Sequence, residues 1–130
     1  MTLEEYRNNL LPSDRRLFDE FVDIGIKKTI FSLLDADVVD TVIQRVVVNN
    51  WDISQEEFSN YLINAKKEIA LYLIQQHLSF QGYTPDEVDT YVSAHMISIH
   101  LSHNHELLKL WKSPEKILKA VQQKKKNKEN

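Results

Sequence analysis

The chain has 130 residues, of which 42% are apolar and 27% are charged, with two glycines, three prolines and no cysteine. This composition fits one globular domain, and the scarcity of turn-forming residues argues against a sandwich or barrel of short strands. The absence of cysteine excludes a disulfide scaffold, a thiolate zinc site and a cysteine nucleophile, and it fits a reducing compartment.

Charge is distributed unevenly along the chain. Residues 1–106 carry 8 Lys and Arg against 17 Asp and Glu, whereas residues 107–130 carry 8 Lys against 2 Glu. The formal net charge of −3 therefore combines an acidic body of −9 with a basic C-terminal segment of +6. An acidic body can attract a basic partner, and a basic segment can contact the phosphate backbone of a nucleic acid.

Two helices are predicted in the first third of the chain. Thr2 and Glu5 form a capping-box pattern, which predicts a short helix ending near Leu10. Ser13 is a candidate cap for the next helix, whose apolar residues repeat with helical spacing over residues 14–34. Gly25 lies inside that run, and the pattern leaves open whether it separates two helices or interrupts none.

The segment from 38 to 48 is ambiguous between helix and strand. Its valines are β-branched and favour a strand by propensity, yet Val39, Val42 and Val46 also mark one face of a helix. A single strand in an otherwise helical chain would have no partner. We therefore predict a helix that ends near Asn49 and Asn50.

Stronger signals follow in the second half of the chain. Ser54 and Glu57 form a second capping box, and a wide apolar face predicts a central helix over residues 55–80. Gly82 is placed for the C-terminal cap of that helix. Thr84, followed by Pro85, opens a helix that runs into a histidine-rich stretch.

Ser113 and Pro114 mark the start of a last helix, which ends near Val121. The fold class predicted from these elements is all-α, a compact bundle of five to six helices. We expect a single helical domain over residues 1–121, followed by a short disordered Lys-rich tail over residues 122–130.

Four of the five histidines lie between positions 95 and 105. On a continuous helix of 3.6 residues per turn they point in different directions, so they do not form one site. Only His100 and His103, three residues apart, are spaced to chelate together. Glu106 is the natural third ligand if the helix continues, and His105 or His77 if it does not. A metal-binding protein using His100, His103 and a third ligand is therefore the second alternative function. The ordinary interpretation is a helix end that is rich in histidine, and no cofactor is expected.

No catalytic motif is recognised. The two glycines are far apart, which excludes a phosphate-binding glycine loop and a nucleophile elbow. The paired carboxylates fall in first helical turns or linkers, where they complement the helix dipole. We therefore expect a protein that is not an enzyme.

The basic segment supplies the first alternative function, an accessory nucleic-acid-binding protein. Its candidate contact residues are Lys109, Lys112, Lys116, Lys119, Lys124, Lys125 and Lys126. Lysine provides phosphate contacts and counterion release without reading base sequence. The competing interpretation is a solubilising tail.

Protein–protein interaction is the function that we favour, in an adaptor, inhibitor or regulator. Asn, Ile and Lys are common and Ala is scarce, which is typical of an AT-rich genome and consistent with a phage, plasmid or other mobile element. The candidate anchor residues are the aromatic side chains Trp111, Trp51, Tyr83 and Tyr91. They serve equally well to complete a monomeric core or to build a homodimer, and this alternative stays open. The acidic N-terminus and the lack of an apolar run of about 20 residues predict a cytoplasmic protein without a membrane partner.

Overall fold

Eight α-helices joined by short turns make up the part of the chain described by the computed structural model, which covers the backbone of residues 1–129 and the side chains of residues 1–123. The helices are α1 (Leu3–Asn8), α2 (Pro12–Asp35), α3 (Asp40–Trp51), α4 (Gln55–Phe80), α5 (Pro85–Ala94), α6 (Ile97–His103), α7 (His105–Leu108) and α8 (Pro114–Glu129). There is no strand among residues 1–129. The all-α prediction is confirmed, and the ambiguous segment 38–48 is helical from Asp40 onward.

The predicted number of five to six helices is too low. The difference arises between residues 85 and 108, where apolar periodicity predicts one helix and the structure has three. Met96 takes a left-handed conformation with φ of 51° and ends the first of these helices. Asn104 is extended and separates the other two, so it terminates α6 and caps α7 through its side chain, which accepts the Leu107 N–H at 3.1 Å.

Backbone contacts divide the chain into two compact units, Met1–Ala65 and Lys66–Asn130, and the boundary falls inside α4. The expected single domain over residues 1–121 stays a prediction. The last helix extends to Glu129, so its expected end near Val121 is wrong. The expected disorder of residues 122–130, of which 124–130 lie outside the residues whose side chains are described, also stays a prediction. Within the described residues, no helix is both long and apolar enough to cross a bilayer.

In the first unit, α2 packs against α1 and α3. The buried apolar side chains recur at intervals of four residues on α2 and α3, which directs one face of each helix inward. They are Ile26, Ile30, Leu34, Ile43, Val47, Phe58 and Ala65. Leu11 occupies the N-cap of α2 and Pro12 the first helical position, so the predicted cap at Ser13 is wrong. Proline is favoured there because its fixed φ suits the first turn and its missing N–H is not needed.

Gly25 lies within the continuous helix α2, and Trp51 packs directly against it. A Cβ atom at this position would lie 2.9 Å from Cζ2 of Trp51 and closer still to Cη2. The indole Nε1–H of Trp51 donates to Oγ1 of Thr29 at 3.3 Å, and that hydroxyl donates to the Gly25 carbonyl at 2.7 Å. Glycine is therefore required here for close packing, and it does not end a helix.

In the second unit, α6 packs against α5 and α7. The buried apolar side chains of the second unit are Ala70, Ile74, Leu78, Val88, Ile97, Leu101, Leu107, Leu108, Ile117, Leu118 and Val121. The capping box that opens α5 is complete, since Thr84 Oγ1 accepts the Glu87 N–H and Glu87 Oε1 accepts the Thr84 N–H, both at 3.2 Å. The predicted starts of α4 and α5 are confirmed.

Candidate interaction surfaces

The first unit exposes an apolar stripe along α2. Leu17, Phe21 and Ile24 are 52%, 63% and 48% exposed, although α2 also has a fully buried face. On a helix of 3.6 residues per turn these three positions fall within about 60° of one another, so they form one continuous stripe. Sequence periodicity did not separate this stripe from the core face, because apolar residues occur on most sides of α2.

The stripe has the spacing of a coiled-coil seam. Leu17, Phe21 and Ile24 are separated by four and three residues, and the same alternation continues to Lys28 and the half-buried Phe31. An apolar residue at alternating intervals of three and four is the pattern by which one helix receives the side chains of another. This α2 seam, defined as residues 17, 21, 24, 28 and 31, is the signal that could have identified the surface from the sequence.

Charged side chains line one flank of the α2 seam. Glu20 and Lys27 are the nearest, and each also contacts a charge on its own helix. Nε of Arg16 lies 3.6 Å from Oε1 of Glu20, and Nζ of Lys27 lies 3.1 Å from Oδ2 of Asp23. All four side chains are at least 43% exposed, and exposed pairs of this kind contribute only about 0.3–0.5 kcal/mol. Glu20 and Lys27 can therefore leave these ion pairs and pair with charges on another molecule at little cost in free energy.

Two further interactions order the first unit away from the seam. Arg7 donates two hydrogen bonds to Asp19, at 2.7 and 2.9 Å, and these bonds lower the pKa of the Asp19 carboxyl. The Tyr61 hydroxyl donates to Oδ1 of Asp23 at 2.6 Å. Partial burial together with this bond raises the pKa of Tyr61 to about 12, and the hydrogen bond from Tyr61 lowers the pKa of Asp23.

Of the four predicted anchor residues, Trp51 belongs to the packing of the first unit, where it is half-buried against Gly25. The other three lie in the second unit. Trp111 is half-buried in the turn before α8, and Nζ of Lys112 lies 4.9 Å from the centre of its ring. The structure thus separates Trp51 from the remaining anchors by unit.

Tyr83 and Tyr91 form an edge-to-face pair with ring centres 5.7 Å apart, and the Tyr91 ring also contacts His95 at 4.2 Å. The Tyr91 hydroxyl accepts a hydrogen bond from Nε2 of Gln122 at 2.8 Å. Both tyrosines line a groove of about 290 Å³, together with His77 near the end of α4. The side chains that line this groove already contact and hydrogen-bond one another. Such an arrangement is found in packed helix junctions as well as in binding sites.

The candidate metal ligands are not brought together. His100 and His103 lie on the two-turn helix α6, whereas Glu106 lies on α7, beyond the extended Asn104. Oε1 of Glu106 lies 3.0 Å from Nζ of Lys109. Among the residues that the structure describes, no three His, Cys, Asp or Glu side chains are grouped closely enough to hold a metal ion.

The candidate nucleic-acid contacts do not form one helical stripe. α7 ends at Leu108 and α8 begins at Pro114, so Lys109 and Lys112 fall in the turn while Lys116 and Lys119 lie on α8. All four side chains are exposed. Lys124, Lys125 and Lys126 lie outside the residues whose side chains are described.

Comparison with known proteins identifies no relative of this chain. No protein-family model matches the chain, and neither the curated proteins nor the solved structures include a significant match. The functional argument therefore depends on the chemistry of the surfaces alone.

Proposed function

We propose that this is a non-enzymatic protein that acts in the cytoplasm by binding another protein, and that the α2 seam is its binding surface. One observation carries the proposal: three large apolar side chains, Leu17, Phe21 and Ile24, are exposed in one continuous stripe on a helix that buries a different face. The lack of cysteine supports a reducing compartment for this activity.

The size of the stripe supports a binding role. Half-exposed side chains of this size present on the order of 100 Å² each, so the stripe approaches the largest apolar patch of a typical monomer, about 300–600 Å². Covering about 300 Å² would contribute roughly 7 kcal/mol before the cost of association. The apolar surface of the partner would add to this gain, and the sum has to exceed an association cost of about 4–15 kcal/mol.

The proposal is tested by comparing two phenylalanine substitutions in an affinity capture from cells of the native host. Phe21→Glu places a charge in the middle of the seam, whereas Phe80→Glu changes a phenylalanine that is 89% exposed at the end of α4. We expect partner capture to be lost with Phe21→Glu and retained with Phe80→Glu. Equal capture by both variants would show that the seam is not the binding surface.

Contact with nucleic acid through the basic C-terminal segment remains a second candidate. The exposed Lys116 and Lys119 on α8 support it, because they can approach phosphates without rearrangement of the helix. DNA binding that weakens as salt rises, with a smaller dependence on salt after deletion of residues 122–130, is the expected result and the test.

A further inference from the structure

We infer that the α2 seam binds the α2 seam of a second copy of this chain, in an antiparallel arrangement. This inference rests on the proposed function, because it names the partner of the same surface. Three features carry it: the seam spacing, the order of the charges along its flank and the position of the large apolar residues along the helix.

The spacing of the seam selects a helix as the occupant. Alternating intervals of three and four residues keep one narrow face directed at a partner over several turns, and each side chain then enters a space between four side chains of the facing helix. The α2 seam maintains this alternation from Leu17 to Phe31, within a helix of 24 residues. A β-strand, with its two-residue repeat, would not match these intervals.

The charges on the flank select a second copy in the antiparallel orientation. Glu20 and Lys27 lie seven residues apart on the same flank of the seam. In a parallel pair the two copies of this flank lie on opposite sides of the seam, so Glu20 and Lys27 gain no opposite-charge contact with each other. In an antiparallel pair, Glu20 faces Lys27 of the second copy, and the two-fold symmetry repeats the contact, so that two opposite-charge pairs form.

The apolar residues fit the same two-fold arrangement. An axis between positions 21 and 24 places Phe21 against Ile24 of the second copy, and the symmetric contact completes the centre. Leu17 then lies against the aliphatic stem of Lys28 of the second copy, whose charged end can remain in water. The acidic Asp14 near the start of α2 approaches the same lysine. The centre of the pair, formed by Phe21 and Ile24 of both copies, has no charge opposite it, and Asp14 lies opposite Phe31 of the second copy only at the end of the seam.

The size of the seam predicts a weak dimer. A stable interface covers about 800 Å² on each partner, and the exposed seam residues present on the order of 300 Å². We therefore expect a monomer–dimer equilibrium that depends on concentration, with a dissociation constant in roughly the micromolar range or above.

The first experiment is sedimentation of the full chain over a concentration series, with circular dichroism to verify that each variant is folded. We expect Phe21→Glu to raise the dimer dissociation constant at least about tenfold, because it buries two charges at the centre of the interface. Phe80→Glu is the matched control and should leave the equilibrium unchanged. A monomer at every concentration in the unsubstituted chain overturns the inference.

A charge exchange tests the antiparallel orientation. Glu20→Lys and Lys27→Glu should each weaken the dimer roughly two- to tenfold, since each creates two like-charge contacts. The double variant Glu20→Lys/Lys27→Glu should restore the original dissociation constant. Double-variant behaviour that is no better than that of the single variants would exclude the proposed pairing of these two positions.

The absence of cysteine provides an independent test of orientation, because a single introduced thiol is unique in the chain. In the antiparallel pair the two copies of position 24 are offset by about 4.5 Å along the helix, and the two copies of position 17 by about 16 Å, at 1.5 Å per residue. A short bismaleimide should therefore link Ile24→Cys between copies and leave Leu17→Cys monomeric. Equal linking at both positions would identify a parallel dimer and overturn the inference.

These outcomes separate this inference from the proposed function. A chain that stays monomeric but captures a different protein, with the capture lost in Phe21→Glu, retains the binding function and excludes the second copy as its partner. A chain that neither dimerises nor captures any protein through the seam contradicts both. A dimer that dissociates with Phe21→Glu and links at position 24 alone supports both.

Discussion

Gly25 lies in the middle of α2, where an alanine would ordinarily stabilise a helix by about 1 kcal/mol. The indole of Trp51 occupies the space that an alanine Cβ would need, and it is fixed by the hydrogen bond to Thr29. Overpacking in a filled site costs about 1–3 kcal/mol, so the steric penalty exceeds the gain in helix propensity.

We therefore expect Gly25→Ala to lower the free energy of unfolding by roughly 1–2 kcal/mol, measured by urea denaturation followed by circular dichroism. Ser32→Ala, at an exposed position of the same helix, is the control and should be neutral or slightly stabilising. Combining Gly25→Ala with Trp51→Leu should cost less than the sum of the two single changes, because the smaller side chain leaves room for the Cβ. A stabilising Gly25→Ala would show that the indole moves away freely.

Tyr61 and Asp23 form the residue pair whose ionisation should influence stability. The pKa of Tyr61 is raised to about 12, so its contribution is complete below the ordinary value of 10.0 and is lost as the pH rises towards 12. The pKa of Asp23 is lowered, so its contribution is present above the ordinary value of 3.8 and is lost as the pH falls below it.

Tyr61→Phe removes this hydrogen bond while keeping the ring. We expect a loss of about 1 kcal/mol at neutral pH, less than the usual value for a bond to a charged group because the pair is partly exposed to water. The difference between the two proteins should shrink at both the acidic and the alkaline end of a stability–pH curve. Tyr72→Phe, an exposed tyrosine on α4, is the control. A difference that is constant from acid to alkali would contradict the assignment.

At the scale of the elements, α2 and α4 end with the same hydrogen-bonding motif but with different residues at its left-handed position. After α4, Gly82 has φ of 97°, and the Tyr83 N–H donates to the Leu78 carbonyl at 3.1 Å. After α2, Asp37 has φ of 59°, and the Val38 N–H donates to the Leu33 carbonyl at 3.0 Å. Glycine suits this conformation because it has no Cβ, whereas other residues are strained by about 1–2 kcal/mol.

This comparison predicts opposite effects at the two helix ends. Gly82→Ala should destabilise the protein by about 1 kcal/mol, although the position has open space around it, because the cost comes from the backbone. Asp37→Gly should be stabilising by up to about 1 kcal/mol, since relief of strain exceeds the added freedom of the unfolded chain. Thermal unfolding measures both. Destabilisation by Asp37→Gly would show that interactions of the aspartate side chain outweigh its backbone strain.

Elements that begin with local signals were predictable from the sequence, and elements that end through packing were not. The starts of α4 and α5 follow from Ser54 and Thr84, whose side chains act on N–H groups three residues away. The break at Met96 has no such signal, because methionine does not favour a left-handed conformation. Its neighbour Ile97 is completely buried, and the residue types around Met96 do not signal that burial.

The candidate site was hidden for a related reason. Periodicity detects that α2 is apolar, but it does not determine which of several apolar faces meets the core. Burial of Ile26, Ile30 and Leu34 leaves Leu17, Phe21 and Ile24 exposed, and this choice is made by the packing of α1 and α3. The aromatic residues predicted as anchors were selected by type, and type alone does not distinguish a packed tryptophan from an exposed one.

At the scale of the whole chain, the separation of charge leads to a prediction about polyanions. Residues 107–130 carry 8 Lys, and 4 of them lie between 122 and 130. We expect weak binding to duplex DNA at low salt without sequence preference, with log affinity falling by about 0.9 per phosphate contact for each tenfold rise in salt. Deleting residues 122–130 should reduce that slope by up to about 3.6 units.

Fluorescence anisotropy of labelled DNA across a salt series measures this slope for the full and shortened chains. Replacing the four lysines between residues 122 and 130 by glutamine in the full-length chain would separate the loss of charge from the loss of length. A slope that is unaffected by both changes would place any DNA contact outside this segment.

The positions of the two tryptophans have a practical consequence for studying how the chain folds. Trp51 lies in the unit Met1–Ala65 and Trp111 in the unit Lys66–Asn130, and the chain has no other tryptophan. Trp111→Phe therefore leaves an intrinsic emission signal from the first unit alone, and Trp51→Phe leaves one from the second. If the full chain is one cooperative domain, the emission of each variant will follow the same denaturation curve as its circular dichroism. If the units unfold separately, the emission of the two indoles will change at different denaturant concentrations.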